Sequence, residues 1–236
     1  SNEKIKEHDL KTIWRAGFIP GLAVILIFLQ PDFGTTATIA FIVFIQFLFS
    51  KTKLIYPALL SIGGWFIGRY FLESEFYRAE RLRVWSEGIC NQGQELLGAC
   101  FQVHQSRIAI SSGGMFGLGP GTSRARWGSL PSAYSDFISS IIGEEYGFIG
   151  YLIFIFILSI CIITFFLIAV REKNEFKKIF ISGLGAWILF QSVLNLGASV
   201  YLLPITGIVL PFVSYGGTAM VSIFVALGIM HSRVDE

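Results

Sequence analysis

The sequence predicts an all-α polytopic membrane protein with six transmembrane helices and one large extracytoplasmic loop between the third and the fourth. The first observation is composition: of 236 residues, 53% are hydrophobic and 14% are charged, whereas soluble domains carry roughly 25% charged residues. The second is the length of the apolar segments, because a helix needs about 20 mostly apolar residues to cross a bilayer. The third is the alternation of positive charge between these segments. The composition argues against a soluble domain, and we expect no nucleic-acid partner.

Six apolar segments are candidates for membrane-spanning helices, at residues 16–30, 35–50, 54–72, 147–170, 179–197 and 205–230. The first two are short, and the last is interrupted by Pro211, Gly216 and Gly217. These boundaries predict the following organisation: a cytoplasmic loop over 1–15, three helices within 16–72, the large loop over 73–146, three helices within 147–230, and a cytoplasmic tail over 231–236.

Lysine and arginine mark alternate connections between the predicted helices. They occur in 1–15, at Lys51 and Lys53, between the fourth and fifth helices and in the tail, whereas 31–34 and 199–204 contain none. By the positive-inside rule, both ends of this chain are cytoplasmic and the large loop is extracytoplasmic. The chain begins in a polar stretch without a signal-peptide pattern. We therefore expect it to be a piece of a longer protein.

The predicted outer loop contains several candidate ligand-binding features. Residues 73–87 interleave aromatic side chains with Arg78 and Arg81, as in an interfacial amphipathic helix. A glycine-rich segment that includes Gly119 and Gly121 follows, and it is either a turn that presents N–H groups to phosphate or a plain flexible loop. Beyond it lie two arginines, Arg124 and Arg126, which either hold a pyrophosphate or contact lipid headgroups. Two cysteines of this loop, Cys90 and Cys100, are either free thiols or a disulfide.

Four acidic residues stand out in so apolar a chain. Asp136 precedes a predicted helix, so either Ser135 or Asp136 caps that helix, or Asp136 is a general base. Glu144 and Glu145 follow at helical spacing, too far from Asp136 for a carboxylate pair, which favours a supporting role. Asp32 lies in a tight turn between two spans and is either a cap or a functional group. Two histidines, His104 and His231, lack partners at ligand spacing, so no metal site is predicted.

Four separated motifs resemble the SEDS family of polytopic membrane proteins, and its FtsW branch more than its RodA branch. They are QPDFGT (30–35), the stretch from GGMFGLGPG to GEEYGFIG (113–150), Asn195 with LLPITG (202–207), and LPFVSYGGT (210–218). The family fold has ten transmembrane helices, and the six predicted here resemble the fifth to the tenth. The resemblance implies a peptidoglycan glycosyltransferase that polymerises lipid II at the outer face of the membrane during cell division.

The family's essential acidic residue, in its LPExHTDF motif, falls on Asp136, whose motif here reads LPSAYSDF. Ser132, Tyr134 and Ser135 thus replace Glu, His and Thr, while Arg126 replaces the usual Lys that precedes the motif. Besides Arg126, the predicted substrate contacts are Arg124, Arg78, Arg81, Gly119, Gly121, Asp32, Ser214 and Tyr215. The predicted supporting residues are Glu144, Glu145 and Asn195.

The resemblance also implies partners. These are lipid II itself, a class B penicillin-binding protein and other division proteins, with a divalent cation as a possible helper in the reaction. An alternative function is a flippase for the lipid-linked precursor, in which the broken last helix and Asp32 would form part of a translocation path.

Overall fold

A computed structural model of the chain describes residues 32–50 and 99–231, together with residues 22, 26, 27, 55, 85, 86, 88 and 90. The predicted spans 16–30 and 54–72 fall almost entirely outside the described residues, as does the predicted amphipathic helix at 73–87 with Arg78 and Arg81. Both ends of the chain, including 1–15 and 232–236, also lie outside them.

The described residues form helices and no strand, which confirms the predicted all-helical class for this part of the chain. The five α-helices are α1 (Phe33–Phe49), α2 (Ala99–Ser112), α3 (Ile138–Arg171), α4 (Glu175–Ser199) and α5 (Gly217–His231), and a short 3-10 helix spans Ala125–Trp127. Within these residues, α3 and α4 are long and apolar enough to cross a membrane, whereas α1 and α5 are shorter apolar helices. The count of six spans stays a prediction.

Helix α3 begins nine residues before the predicted span at 147–170 and contains a kink where that span was expected to start. The kink is at Gly147, whose φ of 68° and ψ of −170° are not helical. Only glycine adopts such angles without strain, since it has no β-carbon. The kink divides α3 into a short N-terminal part, 138–146, and an apolar part, 148–171.

The predicted span over 205–230, which was expected to be interrupted at Pro211, Gly216 and Gly217, is helical in its second half. Residues 204–216 are not helical, and α5 begins at Gly217. Pro211 lacks the N–H that a helix needs, and both Gly207 and Phe212 have left-handed φ values, of 70° and 65°. The result is a loop that contacts the segment before α3 and residue Asn195 of α4.

The core lies between α3, α4 and the loop that precedes α5. It is built from buried apolar side chains, namely Leu158, Ile162, Phe165, Ala169, Ile181, Leu184, Ile188 and Leu210. Helix α1 packs on α4, where the rings of Phe41 and Phe190 stack with centroids 4.7 Å apart. These contacts hold α1, α3 and α4 together.

A second, smaller core surrounds Phe137 and joins residues 125–133 to α2 and α3. Its other members are Ala109, Ala125, Leu130, Ala133 and Ile141. Helix α2 is also fixed by Ser106, whose buried hydroxyl lies 2.6 Å from the hydroxyl of Ser140 and donates to the carbonyl of Ser199 at 2.6 Å. At the start of α2, Cys100 forms a disulfide with Cys90, so of the two alternatives the disulfide is the one in the structure.

Candidate active site

Asp136 lies in a series of turns directly before α3. The carbonyl of Ser132 accepts the N–H of Asp136 at 3.0 Å, and Ser132 has a left-handed φ of 55°. The residue that caps α3 is Phe137, and it makes no side-chain capping bond. The alternative in which Ser135 or Asp136 caps this helix is therefore wrong, since the Ser135 hydroxyl donates instead to the Ser132 carbonyl at 3.3 Å.

The carboxylate of Asp136 is half-buried. Within residues 32–50 and 99–231, no hydrogen bond or ion pair engages it. Its Oδ2 lies beside Gly207, where a β-carbon would be 3.7 Å away. An acidic group that is partly shielded and not engaged by these residues remains available to accept a proton from a ligand.

Asn195 on α4 fixes the backbone at Asp136. Its Nδ2 donates to the carbonyl of Asp136 and to that of Ile208, both at 2.8 Å, and the residue is 1% exposed. Carbonyl oxygens only accept hydrogen bonds, so the amide nitrogen rather than the amide oxygen must face them. The predicted supporting role of Asn195 thus has a specific geometry, which ties LPSAYSDF to the ITG segment.

The loop before α5 holds the two residues that precede Asp136. The Ser214 hydroxyl donates to the carbonyl of Ser135 at 2.5 Å and accepts the N–H of Leu210 at 2.7 Å. The N–H of Tyr215 donates to the carbonyl of Tyr134 at 2.9 Å. Ser214 and Tyr215, which were predicted as substrate contacts, therefore bind the main chain of residues 130–137 (LPSAYSDF), which we call the acidic segment. Tyr215 itself is 84% exposed.

Arg126 stands beside the acidic segment. Its Nε donates to the hydroxyl of Tyr134 at 3.2 Å, and its guanidinium carbon lies 5.6 Å from the ring centroid of Trp127 and 5.8 Å from that of Tyr134. Among the described residues nothing bonds its two terminal nitrogens. Such a guanidinium is oriented by aromatic rings and keeps donors for phosphate oxygens. Arg124 is exposed as well.

Glu144 holds the segment that carries both arginines. It is 2% exposed, and it accepts hydrogen bonds from the Ser123 hydroxyl at 2.6 Å, the Arg124 N–H at 3.1 Å and the Ala125 N–H at 3.2 Å. A fourth, longer bond comes from the Ser112 hydroxyl at 3.4 Å. Glu144 is therefore a structural acceptor, whereas the Oε1 of Glu145 is buried without a hydrogen-bond partner.

The glycine-rich segment packs tightly against α3 instead of forming a flexible loop. A β-carbon at Gly117 would collide with the carbonyl of Glu145. The N–H of Gly119 donates to that same carbonyl at 3.0 Å, so it is already occupied within the protein. The N–H of Gly121 makes no such bond within the described residues, and its φ is 78°. Of the two predicted phosphate donors, Gly121 is the one left with a free N–H there.

Asp32 caps α1, which was one of the two predicted alternatives. Its Oδ1 accepts the N–H of Thr35 at 3.0 Å. The first turn of α1 also touches the ITG segment, since a β-carbon at Gly34 would lie 3.3 Å from the Cβ of Thr206 and 2.9 Å from the Cδ1 of Ile208. The PDFGT motif thus borders the site, although a contact between Asp32 and a substrate stays a prediction.

Two parts of the site were not foreseen from the sequence. The hydroxyl of Tyr134 positions Arg126, and Ser132 turns the chain through a left-handed conformation. The contact of Tyr134 with Arg126 could have been suspected, because a tyrosine stands where the family pattern has a histidine. The left-handed conformation of Ser132 could not, because serine has no preference for it. Among the described residues, no group of three or more His, Cys, Asp or Glu side chains is placed to hold a metal ion.

Comparisons with known proteins identify the family of this chain. A family model described as "Cell cycle protein", for FtsW, RodA and SpoVE, matches residues 1–235. The chain is 31% identical over 230 residues to a probable peptidoglycan glycosyltransferase FtsW of Trichlorobacter lovleyi, which covers 95% of this chain and 59% of that protein. It is 37% identical over 215 residues to the protein of the same name in Bacillus subtilis, covering 87% of this chain and 52% of that one.

A solved structure described as "Structural coordination of polymerization and crosslinking by a peptidoglycan synthase complex" has the same fold. Its TM-score is 0.65 at 23% identity, and the match covers 89% of this chain and 59% of that one. The chain spans a little more than half the length of the curated relatives named above. Since the family model matches residues 1–235, this chain belongs to the FtsW, RodA and SpoVE family of membrane proteins.

Proposed function

We propose that this chain carries the catalytic centre of a peptidoglycan glycosyltransferase that polymerises lipid II at the outer face of the bacterial inner membrane during cell division. The observation that carries the proposal is the place of Asp136: three motif segments meet at it, and PDFGT borders the same site. Its carboxylate is not engaged by any of the described residues. The printed names of relatives at 31% and 37% identity support the same reaction.

In the proposed mechanism, Asp136 acts as the general base. Its carboxylate takes the proton from the 4-hydroxyl of the acceptor sugar while that oxygen attacks C1 of the donor. The bond between C1 and the pyrophosphate oxygen breaks, and undecaprenyl pyrophosphate leaves with inversion at C1. A positioned base of this kind contributes roughly 10²–10⁴-fold to the rate.

Arg126 is the proposed partner of the leaving pyrophosphate. Its guanidinium is exposed, and the aromatic rings of Trp127 and Tyr134 orient it. Fixed positive charge lowers the barrier when it faces the charge that develops in the transition state. Arg124, Arg78, Arg81 and the N–H of Gly121 are proposed to bind the same anion, and a divalent cation bound with the substrate is a possible addition.

The proposed orientation places both ends of this chain in the cytoplasm and residues 73–146 outside. A class B penicillin-binding protein and other division proteins are the proposed partners, because the solved structure of the same fold is described as a peptidoglycan synthase complex. That description supports the class of partner, and the choice of a division protein follows the FtsW relatives.

The test is the substitution Asp136→Asn in the complete protein, with lipid II polymerisation measured as the length of glycan products. Asparagine keeps the shape and removes the base, so we expect polymerisation to fall by roughly 10²-fold or more while the unfolding temperature stays the same. A matched control is Glu172→Gln, since Glu172 uses only Oε1 to accept two N–H groups at the opposite end of α3. This control is expected to polymerise normally.

Two outcomes would contradict the proposal. Polymerisation by Asp136→Asn at the level of Glu172→Gln would exclude Asp136 as the base. Transfer of labelled lipid II across vesicles by the unchanged protein, without any lengthening of glycan, would instead support the flippase alternative.

A further inference from the structure

Three large apolar side chains project from the glycine-rich segment 113–119, which we call the apolar hairpin. Phe116 is 83% exposed, Met115 is 56% exposed, and Leu118 is exposed as well. Solvent-exposed side chains of this size, grouped on one short segment, mark a surface that contacts a partner or a membrane. The proposed reaction uses none of them.

The apolar hairpin is fixed to the kink of α3 by main-chain hydrogen bonds. The carbonyl of Gly114 accepts the N–H of Phe148 at 2.8 Å, and the carbonyl of Met115 accepts that of Ile149 at 3.2 Å. On its other side, the N–H of Leu118 donates to the carbonyl of Glu144 at 3.0 Å. The exposed side chains are therefore held at the level where the apolar part of α3 begins.

The length of α3 gives the depth of that level in a bilayer. The part from 148 to 171 has 24 residues, which corresponds to about 36 Å at 1.5 Å per residue. The hydrocarbon core is about 30 Å thick, and Arg171 marks the other end of the helix. The hydrocarbon therefore begins within about one helical turn of Phe148, beside the apolar hairpin.

The apolar hairpin adjoins exposed apolar side chains at the start of this helix. Phe148, Ile149, Leu152 and Ile153 are large exposed apolar residues in the first turns after the kink. The hairpin carries no charge, and Arg124, Arg126 and the exposed Trp127 follow it a few residues later. An apolar tip followed by arginines and a tryptophan is the residue order of a membrane interface, because those side chains favour the headgroup level.

We propose that the apolar hairpin inserts into the bilayer leaflet next to Gly147 and contacts lipid directly. Phe116, Met115 and Leu118 enter the boundary between headgroups and acyl chains, while Arg124 and Arg126 stay among the headgroups. The hydrogen bonds of Glu144 connect this anchor to the segment that carries both arginines. Insertion thereby sets the depth of the candidate site relative to the membrane surface.

The experiment places a fluorescent probe on the hairpin of the complete protein. Free cysteines, including Cys161, are first replaced by serine, and the Cys90–Cys100 disulfide is kept. Phe116→Cys is then labelled with an environment-sensitive fluorophore, in nanodiscs of phosphatidylcholine and phosphatidylglycerol with or without bromine on the acyl chains. Bromine quenches only a probe in contact with the chains, so the loss of fluorescence reports insertion.

Two further variants provide the references. Ile153→Cys lies on the exposed face of α3 and is expected to be quenched. Thr122→Cys is exposed on the same loop beyond the hairpin and is expected to keep its fluorescence. We expect the probe at 116 to lose fluorescence to nearly the extent seen at 153. Quenching at 116 no greater than at 122 would overturn the proposal, and it would assign the hairpin to a protein partner or to water.

Discussion

Removal of the Glu144 carboxylate tests how the arginine-bearing segment is held. Two variants differ in what they leave behind. Glu144→Ala removes every acceptor and leaves a cavity, whereas Glu144→Gln keeps the shape and replaces one oxygen with an NH₂ group that only donates. One oxygen now accepts from the Arg124 N–H, and the other from the Ser123 hydroxyl and the Ala125 N–H.

The magnitude follows from counting the donors that lose their acceptor. In Glu144→Gln, either orientation of the amide sets a donor against one backbone N–H, that of Arg124 or that of Ala125. A buried donor without a partner costs about 1–3 kcal/mol. In Glu144→Ala both N–H groups and the Ser123 hydroxyl lose their acceptor, so by the same principle the expected cost is about 3–5 kcal/mol, with some relief from water that enters the cavity.

The measurement is hydrogen exchange at the amides of Arg124 and Ala125 in the complete protein. A change of 1.4 kcal/mol in free energy corresponds to a tenfold change in protection from exchange. Glu144→Gln is therefore expected to lower the protection of one of the two amides roughly 5- to 150-fold, and Glu144→Ala is expected to lower the protection of both. Glu145→Gln is the matched control, because the buried Oε1 of Glu145 has no hydrogen bond to lose. Unchanged protection in Glu144→Ala would refute the assignment of Glu144 as the acceptor that holds this segment.

Two further substitutions test the positioning of Asp136 and of Arg126. Asn195→Asp keeps the size of the side chain but sets an acceptor against the carbonyls of Asp136 and Ile208. We expect the free energy of unfolding to fall by about 2–6 kcal/mol and little polymerisation to remain. A stable, active variant would exclude Asn195 as the residue that positions Asp136. Tyr134→Phe keeps the ring and removes the hydroxyl that orients Arg126. Because Arg126 is proposed to face the leaving pyrophosphate, we expect roughly a fivefold fall in kcat/KM for lipid II, from about 1 kcal/mol, with an unchanged unfolding temperature; an unchanged kcat/KM would contradict it.

The features predicted correctly from the sequence are those encoded locally. Apolar length predicted the helices that became α3 and α4, and it placed the start of the fourth span at Gly147, where α3 is kinked. The motif around Asp136 was identified through its resemblance to the family pattern, and the role of Asp136 stays a prediction. Helical spacing also separated Glu144 and Glu145 from Asp136, which agrees with the contacts that Glu144 makes elsewhere.

The features that were missed depend on contacts between residues far apart in the chain. Asn195 binds the carbonyl of a residue 59 positions away, and Ser214 one that is 79 positions away. The interruption expected in the last span extends over the whole of 204–216, which is not helical although the segment is apolar. The Tyr215 N–H and the Ser214 hydroxyl bond to the acidic segment instead, and apolar length alone carries no information about such partners.

The same contacts explain how the acidic segment keeps its shape with an unusual sequence. The carbonyls of Tyr134, Ser135 and Asp136 each accept one hydrogen bond from a different donor, respectively the Tyr215 N–H, the Ser214 hydroxyl and the Asn195 amide. Main-chain carbonyls are present whatever the side chain. The backbone that presents the Asp136 carboxylate is therefore held independently of the residues at 134 and 135, where the family pattern has His and Thr. Their side chains are free to take other tasks, and the hydroxyl of Tyr134 takes one by orienting Arg126.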